Sequence, residues 1–374
     1  MNSTPHLLVC ISGHGYGHVA QVAPVLNELS RLLPGLRLTL RTTIPEAHLR
    51  RRVTTEFRYI AEATDFGMVM VSALEVQVEE SMRAYAEFHA DWSGRVKAEA
   101  AVIKELAPDL VLSDVAYLPL AGASQVGIPS IAMCSLNWAD IFQYFCGAMP
   151  GAAEILQQIE QAYLQSEAFL RLLPAMPMPW LANQWTIGPV AQLGMNRRRE
   201  INEKLGWTDQ HKLVLVSMGG IATRLPVANW PRIPNMHWLV PADWLEGCER
   251  EDMLAFESIG MNFSDVLASC DLLLTKPGYG AFTEAACNGI PVMYVRRNAW
   301  PEQDDLIAWL EQNGLCHKLE AKQVENGNFL EDLQHLLIQP RPGAVAASGA
   351  RDAANYLATW LTDSLVQSAS RHRS

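Results

Sequence analysis

The segment CISGHGYGHV at residues 10–19 carries three glycines and two histidines in alternation, directly after an apolar run. This composition suits three kinds of site: a dinucleotide-binding loop, a metal site, or a catalytic histidine on a tight turn. A dinucleotide fingerprint needs a third glycine where this chain has His18, and an acidic residue about 20 residues further on. The second apolar run ends in Arg41, Thr42 and Thr43 instead. A nicotinamide or flavin cofactor is therefore not expected.

The two histidines of this segment, His14 and His18, are the candidates for metal binding or catalysis. A metal site needs at least three ligands, and no carboxylate lies nearby in sequence, so we expect no metal. The glycines allow a sharp turn from strand to helix, which brings His18 to the ligand-binding edge of an open α/β sheet. There a neutral imidazole can accept a proton from an attacking hydroxyl. The alternative is that His18 only caps the turn. For His14 we expect a structural role or a contact with the substrate that carries this hydroxyl.

A catalytic base of this kind needs a group that orients its other ring nitrogen. Asp114, the last residue of the apolar segment DLVLSD, is the candidate. It is expected at the same edge of the sheet as His18, because the carboxyl ends of parallel strands meet at one edge. The alternative role for Asp114 is to cap the helix that follows.

A second glycine cluster lies in TKPGYGAFTEAACNGIPVMYVRRNAWPEQ at 275–303. Its glycine turn enters a helix, whose free N–H groups can bind a phosphate. Glu284, one turn inside that helix, is placed for a vicinal diol such as that of ribose. Glu302 and Gln303 offer a carboxylate and an amide to the hydroxyls of a sugar.

These motifs resemble the donor site of the two-domain (GT-B) glycosyltransferases, which include the MurG-type enzymes and the UDP-sugar and macrolide glycosyltransferases. The GHG-aromatic-GH start, together with K-x-GYG…E…P…VRR, also resembles the glycosyltransferase-like N-terminal region of plant L-arabinokinases. The resemblance covers nearly the whole chain as architecture. Its specific motifs lie at residues 12–18, 109–114, 217–220 and 275–303.

The resemblance implies a role for each candidate residue. His18 is the expected base that activates the acceptor hydroxyl, and Asp114 is its orienting partner. The family binds its donor without a metal or another cofactor, with helix N-termini offsetting the diphosphate charge. Contacts with the donor nucleotide and its phosphates are expected from Gly17, Gly219, Gly220, Met261, Lys276, Gly278, Tyr279, Gly280 and Glu284, and contacts with the donor sugar from Glu302 and Gln303.

Alternating strand and helix patterns must position these residues. Strands are predicted at 6–11, 36–43, 109–114, 129–135, 212–220 (running into a glycine turn), 236–241, 271–275 and 291–295, and helices at 20–33, 79–106, 280–289 and 348–366. Such alternation is typical of parallel sheets in α/β proteins. The expected fold class is α/β, with two Rossmann-like doubly wound parallel-sheet domains that face a cleft.

The proline-rich stretch at 174–196 interrupts the alternation, and its prolines disfavour helix. We therefore expect an acceptor-side domain at 1–180, a linker at 181–196, a donor domain at 197–347, and a C-terminal helix and tail at 348–374.

The composition limits the partners of the chain. Its 374 residues carry a formal net charge of −11, which argues against binding to nucleic acid. The arginines at 50–52 leave open a weak peripheral contact with a membrane. Seven cysteines without a C-x-x-C pair indicate reduced thiols and a cytoplasmic protein. No apolar run reaches the ~18 residues needed to span a bilayer.

The leading hypothesis is an inverting, metal-independent glycosyltransferase that uses a nucleotide-diphosphate sugar, with UDP as the expected nucleotide and an unknown hydroxyl acceptor. The expected sugar is a hexose or an N-acetylhexosamine. Two alternatives remain: an enzyme like UDP-N-acetylglucosamine 2-epimerase, and a non-catalytic regulatory protein that binds nucleotide sugars.

Overall fold

A computed structural model describes residues 4–72, 75–219 and 224–371, without the side chains of 72 and 363–371. The chain divides into two compact units. Unit 1 comprises Met1–Val71, Val76–Val190 and Ser348–Ser374, and unit 2 comprises Ser72–Glu75 and Ala191–Ala347. The domain boundaries expected from the sequence stay a prediction.

Unit 1 is built on a parallel sheet of seven strands in the order β3-β2-β1-β6-β7-β8-β9. Two short strands, β4 and β5, pair separately. The strands are β1 (His6–Ile11), β2 (Arg37–Thr42), β3 (Arg58–Ala61), β4 (Met70–Ser72), β5 (Glu75–Val76), β6 (Leu110–Asp114), β7 (Ser130–Cys134), β8 (Ala168–Leu172) and β9 (Gln184–Ile187). β1 is buried along its whole length, as expected for a central strand covered on both faces.

The helices that flank this sheet are α1 (Tyr16–Leu32), α2 (Glu46–Arg52), α3 (Val78–His89), α4 (Trp92–Leu106), α5 (Leu118–Gln125), α6 (Trp138–Cys146) and α7 (Ala152–Leu164). The single helical pattern expected over 79–106 is wrong, because it forms α3 and α4. The break has a local cause: Asp91 caps α4 by accepting a hydrogen bond from the Gly94 N–H at 3.0 Å.

The stretch at 174–196, expected as an extended connection, contains β9, which joins the sheet of unit 1 as an edge strand. β9 lies beside β8 in parallel register, with Leu172 opposite Ile187. This strand was not expected from the sequence, because its half-exposed residues lack the apolar run of a central strand.

Unit 2 is built on a parallel sheet of six strands in the order β12-β11-β10-β13-β14-β15. Its strands are β10 (Lys212–Ser217), β11 (Met236–Val240), β12 (Met253–Ala255), β13 (Leu272–Thr275), β14 (Val292–Val295) and β15 (Cys316–Leu319). Its helices are α8 (Arg198–Leu205), α9 (Phe263–Ser269), α10 (Tyr279–Cys287), α11 (Gln303–Asn313), α12 (Ala321–Asn326) and α13 (Leu330–Ile338). Trp230, Trp238 and Phe329 pack together in its core.

The last helix, α14 (Gly349–Arg371), returns to unit 1 and packs on α1. At Gly349 this helix approaches the backbone of Gly188 so closely that a Cβ atom would overlap the Gly188 carbonyl oxygen. Among its described side chains, five apolar ones are buried: Ala350, Ala353, Ala354, Leu357 and Leu361. In the described part of the chain no helix combines the length and apolarity that crossing a membrane requires.

In each sheet the strand order reverses beside the first strand, between β1 and β6 in unit 1 and between β10 and β13 in unit 2. This is the topology of a doubly wound sheet, which binds ligands at the carboxyl ends of the strands beside the reversal. The prediction of two doubly wound parallel sheets is confirmed.

Candidate active site

His18 and Asp114 meet at the carboxyl edge of the unit 1 sheet. His18 lies in the first turn of α1, and Asp114 is the last residue of β6. The parallel register places Ile11 of β1 opposite Asp114. As a result the His18 Nδ1 atom lies 2.9 Å from the Asp114 Oδ1 atom. With Asp114 ionised, the Nδ1–H donates to the carboxylate, and Nε2 is then the basic nitrogen of the ring.

Burial defines the electrostatics of this pair. The exposed fraction is 6% for His18 and 0% for Asp114. Burial raises the pKa of the Asp114 carboxyl, while the neighbouring His18 opposes that rise. A carboxylate removed from water needs a partner. For Asp114 that partner is His18, whose ring compensates the carboxylate best when it is protonated. The geometry therefore suits an imidazole that gains a proton during a reaction.

A third polar residue at this edge, Asp65, did not emerge from the sequence. Its Oδ2 atom accepts a hydrogen bond from the Trp138 Nε1–H at 2.7 Å. The ring of Trp138 lies 5.2 Å from that of His14 and 6.2 Å from that of His18, between centroids. Burial raises the pKa of Asp65, and the charge of His18 opposes this rise. Of Asp65 and Trp138, only Trp138 has a signal in the sequence: it directly follows Asn137, the residue that caps the start of α6.

Cys134 adds a sulfur to the same group. It ends β7, and its Sγ atom lies 4.0 Å from the His18 Nδ1 atom. The candidate ligand atoms of His18, Asp114 and Cys134 all lie within 4.8 Å of one another, on buried side chains. One nitrogen, one oxygen and one sulfur form a donor set that Zn²⁺ accepts. From the sequence, only His14 and His18 were candidate ligands, because Asp114 and Cys134 are distant from them along the chain.

In unit 2, Lys276 lies between two glycine turns. A Cβ atom built on Gly219 would lie 3.5 Å from the Lys276 Nζ atom, and one built on Gly278 would lie 3.9 Å from it. Gly219 has a φ of +80°, which favours glycine. Gly220 lies outside the described residues. Burial lowers the pKa of Lys276 well below its usual range, and Arg297 lowers it further, while Glu302 opposes the shift.

The other residues that we expect to contact the donor lie on different elements. Gly278 is the N-cap of α10, and Tyr279 and Gly280 form its first turn. Glu284 lies further along the same helix and is buried. Met261 is half-buried in the turn before α9. In unit 1, Gly17 lies at the start of α1. The contacts of these residues with a donor stay a prediction.

Glu302 and Gln303 are buried, and their hydrogen bonds hold the loop that precedes α11. The Glu302 Oε2 atom accepts from the Trp300 Nε1–H at 3.1 Å. The Gln303 side-chain amide bonds both backbone groups of Arg297: Oε1 accepts from its N–H at 3.1 Å, and Nε2 donates to its carbonyl at 3.4 Å. Their expected contact with a donor sugar stays a prediction. Arg297 was not among the residues expected to contact the donor.

Solved structures of other proteins share this fold. The calicheamicin glycosyltransferase CalG4 matches over 99% of this chain and 98% of its own, with a TM-score of 0.58 and 16% sequence identity. A proposed UDP-N-acetylglucosamine 2-epimerase from Listeria monocytogenes matches over 95% of each chain, with a TM-score of 0.58 and 13% identity. The chain has the GT-B fold of the glycosyltransferases.

Among curated proteins, the chain is similar to L-arabinokinase of Arabidopsis thaliana. The two are 25% identical over 321 residues, which make up 83% of this chain and 30% of that protein. The chain thus corresponds to less than a third of its relative. No protein-family model matches the chain.

Proposed function

We propose that this protein is a glycosyltransferase that moves a sugar from a nucleotide-diphosphate sugar to an acceptor hydroxyl. The observation that carries this proposal is the 2.9 Å hydrogen bond between His18 Nδ1 and Asp114 Oδ1 at the carboxyl edge of the unit 1 sheet. The GT-B fold supports it, because glycosyltransferases share that fold. The relative's kinase activity is not part of the proposal.

In the proposed reaction, His18 Nε2 takes the proton of the acceptor hydroxyl as its oxygen attacks the anomeric carbon of the donor sugar. A new carbon–oxygen bond forms while the bond from that carbon to the diphosphate breaks. The nucleoside diphosphate leaves with the bonding electron pair, and a single displacement inverts the anomeric centre. Asp114 holds the imidazole in the required tautomer and stabilises the imidazolium.

The proposed donor site is the carboxyl edge of the unit 2 sheet. The N-terminus of α10 and Lys276 would offset the negative charge of the leaving diphosphate. Glu284 would bind the ribose, the turn around Met261 the base, and Glu302 and Gln303 the sugar. We expect a UDP-linked hexose or N-acetylhexosamine and no requirement for a metal.

Donor turnover tests the proposal. Purified protein is incubated with UDP-, TDP-, GDP- and ADP-linked sugars, with and without EDTA, and release of the free diphosphate is measured, with water as the acceptor of the sugar. We expect turnover of one donor, a loss of roughly 100-fold or more in His18→Ala and in Asp114→Asn, and no loss with EDTA. His335→Ala, in an exposed residue of α13, is the matched control.

Two results would replace this proposal by its alternatives. Isomerisation of the donor sugar without transfer would indicate an epimerase. Tight binding without turnover, unchanged in His18→Ala, would indicate a non-catalytic nucleotide-sugar-binding protein.

A further inference from the structure

Two cations of unit 2, the buried Lys276 and the half-buried Arg297, follow the neighbouring strands β13 and β14, in which Thr275 lies opposite Tyr294. Lys276 is 8% exposed, and within the described residues its Nζ atom makes no hydrogen bond or salt bridge. The Nε atom of Arg297 is buried and has no hydrogen-bond partner among those residues. Burial lowers the pKa of Arg297 to about 10. Like charges held together out of water destabilise each other.

Arg297 is held in place from two sides. The Gln303 side-chain amide bonds its backbone N–H and its carbonyl. Its guanidinium lies over the ring of Trp300, with the Cζ atom 4.9 Å from the ring centroid. The indole N–H of Trp300 is in turn held by Glu302. The hydrogen bonds of Glu302 and Gln303 thus position Arg297.

The charges around this cation pair do not balance. Among the described residues, Glu302 is the carboxylate whose charge acts on both Lys276 and Arg297, so these groups carry one positive charge in excess when both cations are protonated. The N-terminus of α10 adds further positive potential next to Lys276, since a Cβ atom on its N-cap Gly278 would lie 3.9 Å from Nζ. Such a site favours an anion that carries two charges.

We propose that Lys276 and Arg297 together bind the diphosphate of the donor, and that Gln303 and Trp300 are the residues that position Arg297 for this contact. The assignment rests on the proposed function, because it takes a nucleoside diphosphate as the ligand. It adds Arg297 to the donor site and gives Gln303 a second role, which acts through Arg297. The two cations contact the phosphates, so they should contribute nothing to the binding of uridine, which has no phosphate.

Binding of UDP and of uridine, measured by calorimetry, tests this pair. We expect UDP to bind more tightly than uridine, and we expect this advantage to fall about 10-fold or more in Arg297→Met and in Lys276→Met, since each loses a charge-assisted contact. Arg297→Lys should restore part of it. Arg296→Met is the matched control, because Arg296 is half-exposed and pairs with Asp304.

A double-mutant cycle tests the positioning role of Gln303. Gln303→Ala should weaken the binding of UDP but not of uridine. It should add little in the Arg297→Met background, since residues that act through one contact are not additive. Equal losses for UDP and uridine, or full additivity with Arg297→Met, would overturn the positioning role.

The outcomes separate this inference from the proposed function. If UDP binds and Arg297→Met retains the wild-type advantage over uridine, the cation pair is wrong and the donor site stands. If wild-type protein binds no nucleoside diphosphate, the proposed function fails. The binding of inorganic pyrophosphate then tests whether the cation pair is an anion site. Pyrophosphate binding that disappears in Lys276→Met would support the pair as an anion site, and no binding of pyrophosphate would overturn it.

Discussion

At the scale of the residue, burial gives both candidate sites their chemistry. Asp114 and Lys276 carry opposite charges, yet each is removed from water with few compensating neighbours. Desolvation raises the pKa of the acid and lowers that of the base, so each charged form depends on a partner. For Asp114 the partner is His18. For Lys276 we propose that it is the bound diphosphate.

The affinity for the donor should therefore depend on pH. In the free protein the pKa of Lys276 lies well below its usual 10.5 because of burial and Arg297, and a bound diphosphate would favour the charged form and raise that pKa. Binding then takes up a proton at every pH between the two values. Affinity should be highest below the lower value and should fall as the pH rises through the higher one.

Calorimetry with UDP-glucose between about pH 6 and about pH 8 measures this effect, because neither the diphosphate diester nor the uracil ring titrates there, and Arg297, whose pKa burial lowers to about 10, stays protonated. Lys276→Arg should remove the proton uptake, since arginine stays charged. An equal pH dependence in wild type and Lys276→Arg would exclude Lys276 as the titrating group.

At the scale of the element, a loop of unit 1 packs closely against His14 and Trp138. Gly67 lies in the loop between β3 and β4, and its φ is +63°. A Cβ atom there would lie 2.6 Å from His14 Nδ1 and 2.8 Å from the Trp138 ring. The loop therefore approaches these two side chains as closely as the absence of a side chain allows, and it carries Asp65 beside them.

Gly67→Ala should both destabilise the protein and reduce its activity. The left-handed backbone costs about 1–2 kcal/mol with any Cβ atom, and the contact with His14 and Trp138 should add about 1–3 kcal/mol. Gly127→Ala is the matched control, because its φ is +69° and nothing lies within 4 Å of its Cβ position. Thermal unfolding and donor turnover measure both effects. Equal losses in the two variants would show that the contact is unimportant.

At the scale of the whole molecule, unit 1 is not continuous in sequence: it contains segments from both ends of the chain. α14 follows unit 2 in sequence but packs on α1 in unit 1. Leu357 and Leu361 are fully buried in that packing. The stability of unit 1 therefore depends on residues at the far end of the chain.

Leu357→Ala should destabilise unit 1 selectively. The cavity should cost about 2–5 kcal/mol, and amide exchange should accelerate in α1, β1 and β2 more than in β10–β15. The exposed Asn355 on the same helix gives the control, since Asn355→Ala should change stability by about 0.5 kcal/mol or less. Uniform acceleration across both sheets would show instead that the two units unfold as one.

The sequence determines the local structure of the chain to a large extent. β1 lies at the predicted residues, His6–Ile11, and the two glycine clusters enter α1 and α10 as expected. These features are predictable because apolar runs, periodicity and glycine turns act over a few residues. Elements with mixed polarity, such as β9, carry a weaker signal, so only their pairing with a neighbouring strand reveals them.

The tertiary structure decides which distant residues meet. His18 and Asp114 are 96 positions apart, and their pairing depends on the register of β1 against β6. Their position at one sheet edge follows from the strand pattern, but the approach of Cys134, Asp65 and Trp138 does not. Likewise, Glu302 and Gln303 resemble a sugar-binding pair in sequence, while only the loop geometry shows that they hold Trp300 and Arg297. Contacts of this kind depend on strand order and loop path, which no local pattern of residues encodes.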